Sequence, residues 1–213
     1  MTPEHKFHSY VTTLTIMVMY FIISELVPII DGVGDSSMYL KPLVSVLSAF
    51  GLYGLFAKVM NGIACNWNWL KRHLLGPTYL NGTWVGRFIN SQNEEKITVE
   101  FFEQTMSSLT IRGEAFNSDG STYAQWTSIA ASINERNGVL TYTYTCDSHI
   151  DYSTFQGIGV FSFERKSAHL PPTFIKGYSA DINDGVRTEN REKRISEKLL
   201  ELHEAYELAR QNV

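Results

Sequence analysis

The residues best suited to chemistry gather in one stretch of this sequence, where Leu140-Thr141-Tyr142-Thr143-Tyr144-Thr145 alternates aromatic and hydroxyl side chains. Successive side chains of a strand point to opposite faces, so one row faces a core and the other faces away. Tyrosines on the inner face would stack a planar base and donate hydrogen bonds. Threonines there would line a polar cavity instead. Similar side chains recur on either side: Trp84 and Arg87, Arg112, Tyr123 with Gln125 and Trp126, and Lys176 with Tyr178. Each aromatic also suits plain packing, because aromatics are good strand formers and fill barrels well. Arg87 and Arg112 differ, since a buried unpaired guanidinium is costly; each either reaches solvent or binds an anion. Alternation with Leu109 and Ile111 points Arg112 outward.

No catalytic set accompanies these residues. His149, His169 and His203 are scattered over turns and the final segment, and no HExxH, GxSxG or phosphate-cradling glycine loop occurs. Asp181-Ile182-Asn183-Asp184-Gly185 has the flavour of a calcium loop but lacks its frame and closing Glu, so a hairpin turn explains it better. Cys65 and Cys146 are far apart and outside any CxxC pattern, which suits a reducing compartment rather than a disulfide framework or a zinc site. The expectation is a non-enzyme with no metal and no cofactor.

The elements that must position these side chains are strands. From Gly82 the hydrophobic period is two, and eight strands are expected: Gly82–Ile89, Lys96–Gln104, Ser108–Phe116, Thr122–Ile133, Gly138–Cys146, Phe155–Glu164, Thr173–Asp181 and Gly185–Arg191. Asn117-Ser118-Asp119-Gly120, Asn137-Gly138 and Asp184-Gly185 supply the turns. No segment is long enough for a crossover helix, so the sheet is antiparallel and up-and-down. Closing it into a barrel removes two exposed edges, and eight strands leave an interior that is filled by side chains or holds one small ligand. Lys193–Asn212 returns to helical period, with Ile195, Leu199, Leu202, Tyr206 and Ala209 on one stripe that packs on the barrel or on a neighbouring subunit.

Two apolar runs precede the strands, Val11–Ile30 and Leu43–Ile63. Each is near the roughly 20 residues that a helix needs to cross a bilayer. They predict a two-helix transmembrane hairpin over residues 1–75, ahead of a domain over residues 76–213. Lys71 and Arg72 after the second run, Lys6 before the first, and the acidic connector Asp31–Ser37 place both termini in the cytoplasm by the positive-inside rule. Each run carries one charge. Lys58 can snorkel to the inner surface, whereas Glu25 reaches the outer interface or faces another subunit.

The chain has 213 residues and a net charge of −4, and from Gly76 onward 18 acidic residues outnumber 13 basic ones. That balance argues against a non-specific grip on DNA, RNA or anionic lipid. It leaves room for a small anionic ligand held by a few buried cations.

Asn81-Gly82-Thr83-Trp84 opens the first strand with a Gly-x-Trp step that resembles the first strand of lipocalin-like barrels, where the Trp plugs the closed end. The final hairpin, Ile175-Lys176-Gly177-Tyr178-Ser179-Ala180-Asp181 followed by Gly185-Val186-Arg187, is lipocalin-like as well. Joined to an N-terminal two-helix hairpin, the arrangement resembles the two-transmembrane, β-strand-rich effectors of bacterial cyclic-oligonucleotide anti-phage signalling (CBASS). The resemblance implies a barrel that binds a cyclic dinucleotide made by a partner synthase. It further implies a homo-oligomer in the inner membrane, acting on membrane lipid and halting growth of the infected cell. The resemblance fixes no ligand contacts. On chemistry alone the candidates are Trp84, Arg87, Arg112, Tyr123, Trp126, Tyr142, Tyr144, Lys176 and Tyr178, with Glu25 and Lys58 as membrane-effector residues. Two rivals are a tethered carrier of a lipid or other apolar ligand and a non-catalytic scaffold with a filled barrel. A uniformly apolar cavity would favour the carrier, a filled barrel the scaffold, and an Arg or Lys deep in the barrel the nucleotide.

Overall fold

The computed structural model describes residues 3–22, 24, 40–149, 153–183 and 185–212, and the chain divides into two units, Met1–Leu74 and Leu75–Val213. The first unit holds helices α1 (Pro3–Phe21) and α2 (Leu40–Asn66), and α3 (Asn68–Leu75) begins within it. Phe7, Val11 and Thr15 form a buried stripe four residues apart on α1. The His8 ring Nδ1 and the Tyr53 hydroxyl, 2.5 Å apart, tie α1 to α2.

Among the described residues no helix is long and apolar enough to cross a membrane. This overturns the expected transmembrane hairpin and, with it, the inner-membrane location and the two-sided topology. The first apolar run is only partly covered by described helix, whereas the second, Leu43–Ile63, lies wholly within α2. α1, Pro3–Phe21, takes in the polar Glu4, His5, Lys6, His8 and Ser9, and Ile23 and residues 25–30 of the first run lie outside the described residues. The described side chains of α2 include an exposed Lys58, Asn61 and three glycines, which dilute its apolar character. Glu25 and the connector Asp31–Ser37 lie outside the described residues.

The second unit is a closed antiparallel barrel in which each strand pairs with its sequence neighbour and β8 returns to β1. The strands are β1 (Gly82–Ile89), β2 (Glu95–Gln104), β3 (Leu109–Phe116), β4 (Thr122–Asn134), β5 (Val139–Ser148), β6 (Thr154–Glu164), β7 (Phe174–Asp181) and β8 (Arg187–Ser196). The last strand and the final helix differ from expectation. Lys193, Arg194 and Ser196 pair with Val85, Trp84 and Thr83, so closing the barrel draws them into β8. Helix α4 therefore starts only at Leu202 and runs to Asn212. Ala205 and Ala209 of α4 bury against Val85, Val99 and Phe116 on the outer wall, with Leu202 and Tyr206 beside them. Leu199, expected on the same stripe, is exposed.

At one end the barrel interior is solid. Trp84 is fully buried, donates its indole N–H to the Leu80 carbonyl at 2.8 Å and packs on Phe102. The Arg194 guanidinium lies over the rings of Trp84 and Tyr79 and donates to the Tyr79 carbonyl. Ile111, Leu140 and Ile175 complete this apolar plug. The entry segment is tied across it by Gln104, whose carboxamide accepts from Leu80 N and donates to the Thr78 carbonyl. The Gly-x-Trp step thus sits at a closed end, as its sequence context implied.

Candidate ligand-binding site

The other half of the barrel is hollow. A cavity of about 580 Å³ lies there, within the range typical of small-molecule sites. The Leu140–Thr145 alternation resolves in favour of the tyrosines: Tyr142 and Tyr144 face in and are buried, while the threonines face out. Trp126, Tyr123, Phe88 and Phe155 add further ring surface to the wall.

The rings stay flat against that wall because glycines sit beneath them. In the strand register Trp126 lies opposite Gly113, Tyr144 opposite Gly157 and Tyr142 opposite Gly159. A methyl group added at these glycines would stand 2.3, 2.3 and 2.5 Å from the respective rings, well inside contact distance. Glycine here replaces a side chain that would push each ring into the hollow.

Two carboxyl groups meet on the cavity floor, just above the plug. Glu100 on β2 and Glu192 on β8 flank β1, whose Trp84 pairs with Glu100 and whose Gly86 pairs with Glu192. Gly86 has no side chain to separate them; an added methyl would stand 2.9 Å from Glu192 Cγ and 2.9 Å from Thr98 Oγ1. Both carboxyls are buried. Trp126 Nε1 donates to Glu100 Oε1 at 2.9 Å, and Asn190 Nδ2 donates to Glu192 Oε1 at 2.8 Å. Apart from each other and the Tyr142 hydroxyl, the second oxygens, Oε2, meet no donor among the described residues.

Burial pushes Glu100 up to about 7, against the pull of hydrogen bonds from Glu192, Trp126 and Tyr142. Glu192 is raised well above the carboxylate range, by burial first and by the neighbouring Glu100 second. Two carboxyls in contact cannot both ionise cheaply, so near neutrality the pair holds a proton between them. Burial also raises the Tyr142 hydroxyl and pushes Tyr144 and the Cys146 thiol up to about 12, so all three stay protonated and available as donors.

Hydroxyl and amide groups lead to the mouth, among them Ser179, Thr188, Asn90 and Asn183, with Asp181 beside them. Among the described residues no Arg or Lys lines the cavity, so the cation expected of a nucleotide site is not found on its wall. Lys96, beside the lining residue Tyr123, donates to Glu94 and Asn117 at 2.7 Å each and lies 4.6 Å from the centre of the Tyr123 ring.

Of the residues singled out in the sequence, Tyr123, Trp126, Tyr142 and Tyr144 come together on the cavity wall. Trp84 belongs to the plug. The cations point away from the cavity: Arg87 pairs with Glu95 at 3.1 Å, Arg112 pairs with Glu103, and Lys176 is exposed. Tyr178 stacks under the Arg187 guanidinium at 4.5 Å, away from the cavity lining. Lys58 is exposed on α2 in the other unit. Sequence reasoning missed Glu100, Glu192 and the ring-supporting glycines.

No family model matches this chain, and no curated protein matches it either. Among solved structures it is similar to a redesigned β-barrel, mFAP1, bound to DFHBI, at 18% identity and a TM-score of 0.44, covering 56% of this chain and 98% of that one. It is also similar to a de novo designed fluorescence-activating β-barrel, at 18% identity and a TM-score of 0.37, covering 55% of this chain and 95% of that one. The barrel assignment rests on the strand pairing of this chain itself.

Proposed function

We propose that the barrel is a receptor for a planar, hydrogen-bonding small molecule, and that a cyclic dinucleotide is the ligand class it senses. The observation that carries this reading is the hollow half of the barrel, where rings held flat by glycines surround buried polar groups. Flat aromatic walls accept bases of any sequence by stacking. The two rivals fit less well. A filled scaffold has no use for a cavity of this size, and a carrier of apolar molecules would not bury two carboxyls on its floor.

The absence of cations among the described lining residues dictates the pose. A phosphodiester beside Glu100 and Glu192 would face negative charge or its proton, with no Arg or Lys to offset it. The phosphates therefore stay at the hydroxyl- and amide-lined mouth, and a base enters the hollow. On this reading the barrel is the sensor of an effector in bacterial antiviral defence, downstream of a cyclic nucleotide synthase, with self-association as its output. The shift toward the assembled state is bounded by the ligand's preference for that state. The site binds its ligand without transforming it.

The test is a thermal-shift and calorimetric screen of the full chain against cyclic dinucleotides and fatty acids. A cyclic dinucleotide at a hundred times its Kd is expected to add about 2.7 kcal/mol of stability. It should also raise the sedimentation coefficient and be recovered chemically intact. Stabilisation by fatty acids alone would replace this reading with the carrier.

A further inference from the structure

We propose that the Glu100–Glu192 pair is the specificity element of this cavity and takes two adjacent N–H donors on the edge of a flat heterocycle, as a guanine-like ring N–H and exocyclic amine present them. The inference rests on the receptor reading above and names the ligand edge which that site selects. It follows from the geometry of the floor. Each carboxyl already has one oxygen occupied, Glu100 Oε1 by Trp126 and Glu192 Oε1 by Asn190. That leaves Glu100 Oε2 and Glu192 Oε2 buried, with only the shared proton and the Tyr142 hydroxyl for donors, Glu192 packed over Gly86 and Glu100 in contact with it. A shared proton serves two buried oxygens at once, and a ligand that supplies a separate donor to each can take its place. A ligand lacking one donor leaves an oxygen stranded, which is how such sites discriminate strongly. Trp126 and Tyr142 stand on the same wall, so a ring whose edge meets the carboxyls slides between aromatic faces.

Binding two N–H donors requires both Oε2 atoms as acceptors. Every proton held by the carboxyls therefore leaves for solvent as the ligand docks, and the pair carries two negative charges beneath the donors, a cost the two N–H bonds must offset. Tyr142 of β5 is the titratable group that faces the pair from across the barrel. From β2 and β8 themselves, Thr98 and Asn190 are neutral. Arg194 is turned onto the Trp84 and Tyr79 rings, and Lys96 is held by Glu94 and Asn117. Asp181 of β7 stands at the mouth.

The experiment is calorimetry of the full chain with guanosine, inosine, 1-methylguanosine, cyclic di-GMP and cyclic di-AMP, repeated with Glu100→Gln and Glu192→Gln. Guanosine is expected to bind at least tenfold more tightly than inosine, which lacks the exocyclic amine, or 1-methylguanosine, which lacks the ring N–H. Either glutamine variant should lose at least tenfold for guanosine, with its own melting curve confirming that it folds. Independently of any variant, guanosine binding to the unaltered chain at about pH 6 should release a proton, seen as a heat that changes with the ionisation enthalpy of the buffer. Equal binding of the three nucleosides, or binding with no proton release, overturns the role given to the pair. If cyclic di-AMP binds while guanine ligands do not, the receptor reading stands and this inference falls. If guanosine binds as described and neither dinucleotide does, the pair stands and the dinucleotide reading falls. If nothing binds, both fall.

Discussion

The two halves of the barrel interior are built from the same strands and do opposite things. Toward the closed end the inward positions carry Trp84, Phe102, Ile111, Leu140 and Ile175, which fill the space. Toward the open end the inward positions include Gly86, Thr98, Gly113, Gly157, Ser179 and Thr188, small residues that let the larger rings lie back against the wall and leave the middle open. The change comes within two residues on β1, from Trp84 to Gly86, and on β3, from Ile111 to Gly113. The difference teaches that hollowness here is a matter of side-chain volume, since strand number and closure are common to both halves. Stability belongs to the filled half and recognition to the hollow one.

The sharpest way to break this division is Trp84→Ala. A fully buried Trp in the plug should cost about 3–5 kcal/mol on truncation, read by chemical denaturation of the full chain. Trp126→Ala, which removes the same side chain from the half-buried cavity wall, should cost far less. Equal losses at the two sites would show that the cavity wall is as stabilising as the plug, and the division would be wrong.

The carboxyl pair sharpens the boundary through pH. Burial raises Glu100 from 4.5 to about 7 and Glu192 in the same direction, so the folded chain keeps protons that the unfolded chain has shed over that window. Stability is therefore complete below the ordinary carboxylate range and falls as pH climbs toward and through 7. For Glu100 alone the loss is roughly 3 kcal/mol, several degrees in melting temperature. Glu100→Gln should flatten this slope and melt higher than the parent chain at about pH 8. A parent melting temperature that stays level or rises between about pH 5 and about pH 8 would show that the pair is not buried as described.

How much of this was legible in the sequence depends on which faces of a strand are covered. β5 was half legible: its strict alternation showed two unlike faces, and only the structure shows that the tyrosines face in and the threonines out. β2 did not. Its outward row, Ile97, Val99 and Phe101, is the more apolar one, because α4 packs over it. Its inward row, Thr98, Glu100 and Phe102, mixes polar and apolar side chains. Alternation alone would turn this strand inside out and put Glu100 in solvent. Glu192 was hidden differently: it lies just past the expected end of the last strand and is drawn in only by pairing with Gly86. The apolar runs at the N-terminus misled in the other direction: α1 takes in polar residues ahead of its run, and Lys58, Asn61 and three glycines dilute α2. What composition did show is the acidity of the domain, which its cavity floor turns out to share.

A subtler change should affect the hollow half alone. Gly159→Ala adds one methyl 2.5 Å from the Tyr142 ring, and the ring is the part that can move, into the cavity. Overpacking of this kind costs about 1–3 kcal/mol in a filled core, but beside a void the ring has somewhere to go, so the stability loss should sit at the low end. Ligand affinity should drop about tenfold or more, because Tyr142 then occupies space that a base needs. Titration of the variant with the best ligand of the screen checks this, and unchanged affinity would place the ligand elsewhere.

The smallest effects belong to the outer wall. Arg112 pairs with Glu103 and Arg87 with Glu95, both at partly exposed positions, and exposed ion pairs contribute about 0–1 kcal/mol. Arg112→Ala should leave both stability and ligand affinity within error. Arg87 is the more demanding case. Its Nε is buried and meets no hydrogen-bond partner, so truncation removes an unsatisfied donor along with the pair, and the two effects oppose each other. A net change below about 0.5 kcal/mol is expected for Arg87→Ala, with affinity untouched. A tenfold loss of affinity in either variant would mean that a guanidinium on the outer wall is felt by the ligand, and the separation between wall and cavity would fail at that strand.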